Sequence, residues 1–123
     1  MMRKAILAAA LLLAGCGGGG KPGGLAGLEF KPIAPDVFAV VIDPRADVAK
    51  TEAAIRKQCE SKPSCSVVGW TDPAAMAHAY PLTDPQTAAL AVRYTRDGLS
   101  GTDEMMWDCV RFRAARAPCI PKA

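Results

Sequence analysis

Seven glycines crowd the eleven residues from Gly17 to Gly27, and this tract sets the N-terminal segment apart from the rest of the 123-residue chain. A tract of that composition reads as a coil with a root-mean-square span of about 18 Å and a stretched limit near 35–40 Å. It does not resemble a phosphate loop, because no strand precedes it and no helix follows. On its N-terminal side, Arg3 and Lys4 precede an unbroken apolar run of ten residues, Ala5 to Ala14. As a helix that run covers roughly 15 Å, half of a hydrocarbon core of ~30 Å. It is too short to span. A charged start, a short apolar stretch and small residues before a cut site form the pattern of a secretory signal. The folded part is therefore expected within residues 28–123.

Leu13-Ala14-Gly15-Cys16 closes the apolar run and resembles the lipobox of bacterial lipoproteins. The resemblance implies a diacylglycerol on the Cys16 thiol, cleavage just before Cys16 and acylation of the freed amine. Residues 1–15 would then be the signal peptide, and 16–27 the lipidated cysteine with its linker. Each buried methylene contributes about 0.8 kcal/mol, so an anchor of two or three chains is effectively permanent. In that family, Asp directly after the cysteine retains the protein at the inner membrane. Here Gly17 stands there, which points to the outer membrane, facing the periplasm.

Loss of residues 1–15 leaves 108, enough for one small domain. The formal charge of +3 sets 15 basic side chains against 12 acidic ones; without Arg3 and Lys4 the count is 13 against 12, a net +1. A nearly neutral exported domain argues against nucleic acid as partner. With Cys16 acylated, Cys59, Cys65, Cys109 and Cys119 remain. An even number in an oxidising compartment reads as two disulfides. Four cysteines allow three connectivities, and the sequence does not choose among them. The local pairs Cys59–Cys65 and Cys109–Cys119 are favoured, at roughly 2–3 kcal/mol each in the chain-entropy model.

Residues 28–35 carry two prolines and read as extended. Val37 to Ile42 is a continuous apolar run bounded by Asp36 and Asp43-Pro44, the pattern of a strand buried on both faces at the sheet's centre. A helix is expected over 45–60, starting at Asp43-Pro44 or at Asp47. A second strand follows over 65–71 and a short helix over 72–79. Thr83-Asp84-Pro85-Gln86 reads as a capping box opening a third helix, with Leu90 and Tyr94 on one face, that Gly98 ends at about Asp97. The last strand is placed at 104–113. The expected fold is α+β: a β-α-β-α-α-β domain with a three-stranded sheet, helices mainly on one face and two disulfides.

Cys59, Cys65, Val67, Trp70-Thr71-Asp72, Pro81-Leu82-Thr83-Asp84, Tyr94, Trp107-Asp108-Cys109 and Cys119 together resemble a group of small exported proteobacterial proteins. The likeness covers about half of the chain. It implies a shared disulfide-tied domain and brings no activity with it.

His78 is the one histidine. A general base needs a nucleophile and an orienting acid within reach, and none is evident, so His78 reads as a surface or packing residue. One histidine and no Cys-x-x-Cys pair do not make a zinc site, and no cofactor motif is present. Five residues separate Cys59 from Cys65 where thiol oxidoreductases use two, which suits a structural bridge. Asp103, Glu104 and Asp108 cluster near the last expected strand and offer a hydrolase pair or a solvated edge. Arg111, Arg113, Arg116 and Lys122 follow Cys109 without an intervening acid, with Arg93 and Arg96 as neighbours. Such a patch would meet anionic lipid head groups or an acidic wall polymer, or serve only as a solvated tail. Trp70 and Trp107 read as core residues; facing solvent, they would form an aromatic platform beside the arginines.

These features fit a lipid-anchored binding or accessory lipoprotein of the cell envelope, held to the membrane by its anchor and partnered by an envelope protein or an anionic envelope polymer. The competing readings are an envelope hydrolase using the carboxylate cluster and an inhibitor of a wall-degrading enzyme.

Overall fold

The computed structural model describes residues 27–121. Five strands form one sheet in the order β1 (Lys31–Ala34), β2 (Val37–Val41), β3 (Ser64–Trp70), β4 (Val92–Asp97) and β5 (Thr102–Trp107). All neighbours are antiparallel except β2 and β3, which run parallel. A parallel pair needs a crossover, supplied by α1 (Val48–Cys59). A 3-10 turn (Pro73–Ala75) and the short helix α2 (Asp84–Ala88) connect β3 to β4.

Each sheet face has its own core. Val40, Ile42, Val67, Val92, Tyr94, Met105 and Trp107 lie against Ile55 and Cys59 of α1. Ala39, Val68 and Trp70 lie on the other face against Met76, Ala77 and Leu90. The apolar run at β2 needs both covers, since its alternate residues enter different clusters. The β1–β2 hairpin turns at Asp36, whose φ of 59° is one that a short polar side chain tolerates. Gly69 lies between Val40 and Val92 in the ladder. A Cβ there would come within 2.7 Å of Val92 Cγ1 and 3.2 Å of Val40 Cγ1, so the two valines fill the space that a side chain would need.

Asp47 caps α1, its carboxylate accepting from the Lys50 amide at 2.9 Å. Asp43 instead accepts from Arg45 in the preceding turn. The Thr83–Gln86 capping box forms, with both reciprocal bonds present. Among the described residues, no helix is long and apolar enough to cross a membrane.

The three-stranded sheet with helices mainly on one face is corrected on each count. The sheet has five strands, α1 is the one helix longer than a turn and a half among the described residues, and α2 with the 3-10 turn packs on the face opposite α1. The helix expected from Thr83 to Asp97 ends at Ala88, and its second half is β4. The spacing of Leu90 and Tyr94 suits a helix face, but Val92-Arg93-Tyr94 also alternates, and pairing with two strands favours the alternation. The helix expected over 72–79 is limited to the 3-10 turn. The extended stretch with two prolines becomes β1, an edge strand, where a missing amide donor is tolerated. β3, not the apolar run at β2, is the central strand. The last strand stops at Trp107, and the chain returns so that Trp107 bridges Cys119 in parallel.

Candidate functional site

The expected signal peptide, Cys16, the linker up to Ala26, and Lys122 lie outside the described residues. The four remaining cysteines form the two local bridges, Cys59–Cys65 and Cys109–Cys119. The first ties the end of α1 to the start of β3. The second holds the tail against β5, where the Trp107 amide donates to Pro118 O and the Ile120 amide donates to Trp107 O.

Neither tryptophan reaches the surface. Trp70 and Trp107 are both 0 % exposed, so the aromatic platform does not exist. Their indole nitrogens act as internal ties: Trp70 Nε1 donates to Gln86 O at 2.9 Å, and Trp107 Nε1 donates to Glu52 Oε2 at 2.8 Å. Trp107 also packs on Phe112, with ring centroids 4.8 Å apart.

The carboxylate cluster does not assemble. Asp103 and Glu104 are successive residues of β5 and therefore point to opposite faces. Asp103 meets Arg56 at 3.6 Å. Asp108, 5 % exposed, lies past the strand's end, where its side chain accepts from the Val110 and Arg111 amides and pairs with Arg111 Nε at 3.7 Å. His78 is exposed between the 3-10 turn and α2.

The basic residues serve different places. Arg111 donates to Thr71 Oγ1 at 2.8 Å, which fastens the turn after β5 to the end of β3. Arg96 donates to Cys59 O at 2.9 Å. Arg113 is exposed. Arg116 lines a groove of about 630 Å³ between α1 and residues 114–117. The polar groups bordering that groove largely satisfy one another. Arg56 contacts Glu52, Asp103 and the Tyr94 ring. Burial first, then the Asp103 carboxylate, raise the Tyr94 phenol above its ordinary value, while Arg56 and Arg96 pull it down.

The opposite face of the sheet is different. Its cover of 3-10 turn, loop and α2 leaves part of β3 and β4 open. Ser66 is paired with Thr95 and Val68 with Arg93, so these four side chains form a square floor on one face. Tyr80, Pro81, Leu82, Thr87 and Leu90 wall it, enclosing about 470 Å³. A second groove of about 590 Å³ continues between α2 and the tail, lined by Asp84, Thr87, Ala88, Leu90, Arg93, Ile120 and Pro121. Thr87, Leu90 and Arg93 border both. The two make one trough with Arg93 at its middle.

Arg93 is exposed. Among the described residues, neither its guanidinium nor the hydroxyls of Ser66, Tyr80, Thr87 and Thr95 has a protein partner. The acidic groups nearest in register are Glu104, paired with Thr95 on the same face, and Asp84 at the far groove. Sequence reasoning named Arg93 only as a neighbour of the C-terminal patch and missed Ser66, Tyr80, Leu82, Thr87, Leu90 and Thr95. The alternation through 92–96 is the signal that places Arg93 and Thr95 on one face; the others come to them only through the tertiary fold.

No protein-family model matches the chain, no curated protein matches it, and no solved structure matches it.

Proposed function

We propose that this protein is a lipid-anchored binding module of the cell envelope, held at the outer membrane through acylated Cys16 and presenting the trough around Arg93 to its partner. One observation carries the reading: a guanidinium and four hydroxyls, without protein partners among the described residues, border one trough together with the apolar side chains of Pro81, Leu82, Leu90 and Ile120. A few placed polar groups in a mainly apolar concavity is the composition of a binding site. The lipobox resemblance at Leu13 to Cys16 supplies the anchor, and the glycines after it let the domain stand off the lipid.

The test uses intact cells. A photo-crosslinking residue replacing Thr87, at the rim of both grooves, captures one recurring partner, and the same residue replacing Lys57 on α1 does not. Arg93→Ala abolishes the adduct. Labelled palmitate enters the wild-type chain and not Cys16→Ser. Equal capture from both positions, or turnover of an envelope substrate by the purified protein, overturns the reading.

A further inference from the structure

The chemistry of the trough narrows what it holds. Its floor is the face of a central strand pair whose amides and carbonyls are engaged in the ladders to either side. The main chain there has nothing free to offer an incoming peptide backbone, and recognition falls to side chains. Those side chains are Ser66, Thr87 and Thr95 hydroxyls, the Tyr80 phenol and the Arg93 guanidinium. Hydroxyls both donate and accept, which suits a ligand itself dense in hydroxyls. A guanidinium offers a planar fork matched to a carboxylate. Tyr80, 51 % exposed, presents a ring on which the C–H face of a pyranose can lie, with its phenolic end still wet. The trough continues past Arg93 into the second groove, which fits a linear chain extending beyond one residue.

We infer that the trough binds an acidic saccharide, with a sugar carboxylate seated on Arg93 and a sugar ring on Tyr80. This rests on the reading of the chain as an envelope binding module and specifies its ligand class. Glu104 lies beside the floor and Asp84 lines the second groove, so a saccharide whose carboxylates are widely spaced fits better than a dense polyanion.

The test titrates the purified, lipidated chain in detergent with oligosaccharides bearing uronic acids or carboxyethyl-substituted amino sugars, each beside its neutral methyl ester. Acidic members bind at least tenfold more tightly than their esters, and backbone amide shifts concentrate at Ser66, Arg93 and Thr95. Arg93→Gln lowers affinity at least tenfold, Tyr80→Ala lowers it severalfold, and Arg113→Gln leaves it unchanged. The amide map on the wild-type chain keeps the test valid should a variant misfold. Equal affinity for acid and ester, shifts elsewhere on the surface, or no binding by any member overturns the inference. Tight binding of a peptide carboxylate with no saccharide bound overturns it in favour of a peptide ligand. Failure of the panel while the Thr87 crosslink persists removes the ligand class and leaves the binding module standing.

Discussion

Gly69→Ala tests the packing of the central strand. The added Cβ would lie 2.7 Å from Val92 Cγ1 and 3.2 Å from Val40 Cγ1, where carbon atoms sit at about 3.5–4.0 Å. Val92 must retreat by roughly 1 Å. It is 0 % exposed, β-branched and held between two ladders, so neither a rotamer change nor a backbone shift is free. Overpacking of this kind costs about 1–3 kcal/mol. Losing a glycine from the unfolded chain offsets about 0.4–1 kcal/mol, leaving a net loss of about 1–2 kcal/mol. For a domain of this size each kcal/mol shifts the midpoint by about 4–8 °C, so thermal unfolding should begin some 5–15 °C lower.

The assay is a double-mutant cycle by chemical denaturation. Val92→Ala alone opens a cavity and destabilises the protein. Combined with Gly69→Ala, the new methyl occupies that space, and the double mutant is more stable than the sum of the singles by about 1 kcal/mol or more. A neutral or stabilising Gly69→Ala, or strict additivity in the cycle, would refute the account of why glycine stands there.

Three further outcomes are expected. Trp107→Phe loses the bond to Glu52 and leaves a void, costing about 2–4 kcal/mol in chemical denaturation, whereas Glu52→Gln, which keeps an acceptor, costs less than half of that. Ultraviolet titration should show Tyr94 ionising above the ordinary 10.0; because the folded state holds this proton more tightly, its contribution to stability is complete below pH 10.0 and is lost as pH rises through the folded value. Asp103→Asn should lower that value without restoring it fully, since burial is the larger cause. Paired Cys109→Ser and Cys119→Ser should cost roughly 2–3 kcal/mol and expose the Trp107 and Ile120 amides to faster hydrogen exchange, because both bond across the β5–tail bridge.

The parts legible in the sequence are those fixed by local chemistry. The unbroken apolar run from Val37 to Ile42, which holds the strand Val37–Val41, and the Thr83–Gln86 capping box each act within a few residues and appear where their patterns lie. Of the two starts open to the first helix, Asp43-Pro44 and Asp47, the structure takes Asp47. The favoured disulfide pairs also join near neighbours in sequence. What the sequence hides depends on distant partners. Lys31–Ala34 becomes a strand only because β2 folds back beside it. Trp70 and Trp107 are core residues, as the sequence reads, but the partners of their indole nitrogens, Gln86 O and Glu52 Oε2, are set by the tertiary fold.

The candidate site turns on the same dependence, through one choice of period. On a helix over 83–97, Arg93 and Arg96 stand three residues apart and share a face, joining the C-terminal arginines in one basic patch. On a strand, their odd separation sends them to opposite faces. Arg96 then reaches back to the Cys59 carbonyl on the α1 side, where its charge closes the chain end of a helix. Arg93 is left on the other face among hydroxyls, between two grooves. Pairing with β3 and β5 settles the period, and with it turns one of two apparently equivalent arginines into a structural tie and the other into the centre of the trough.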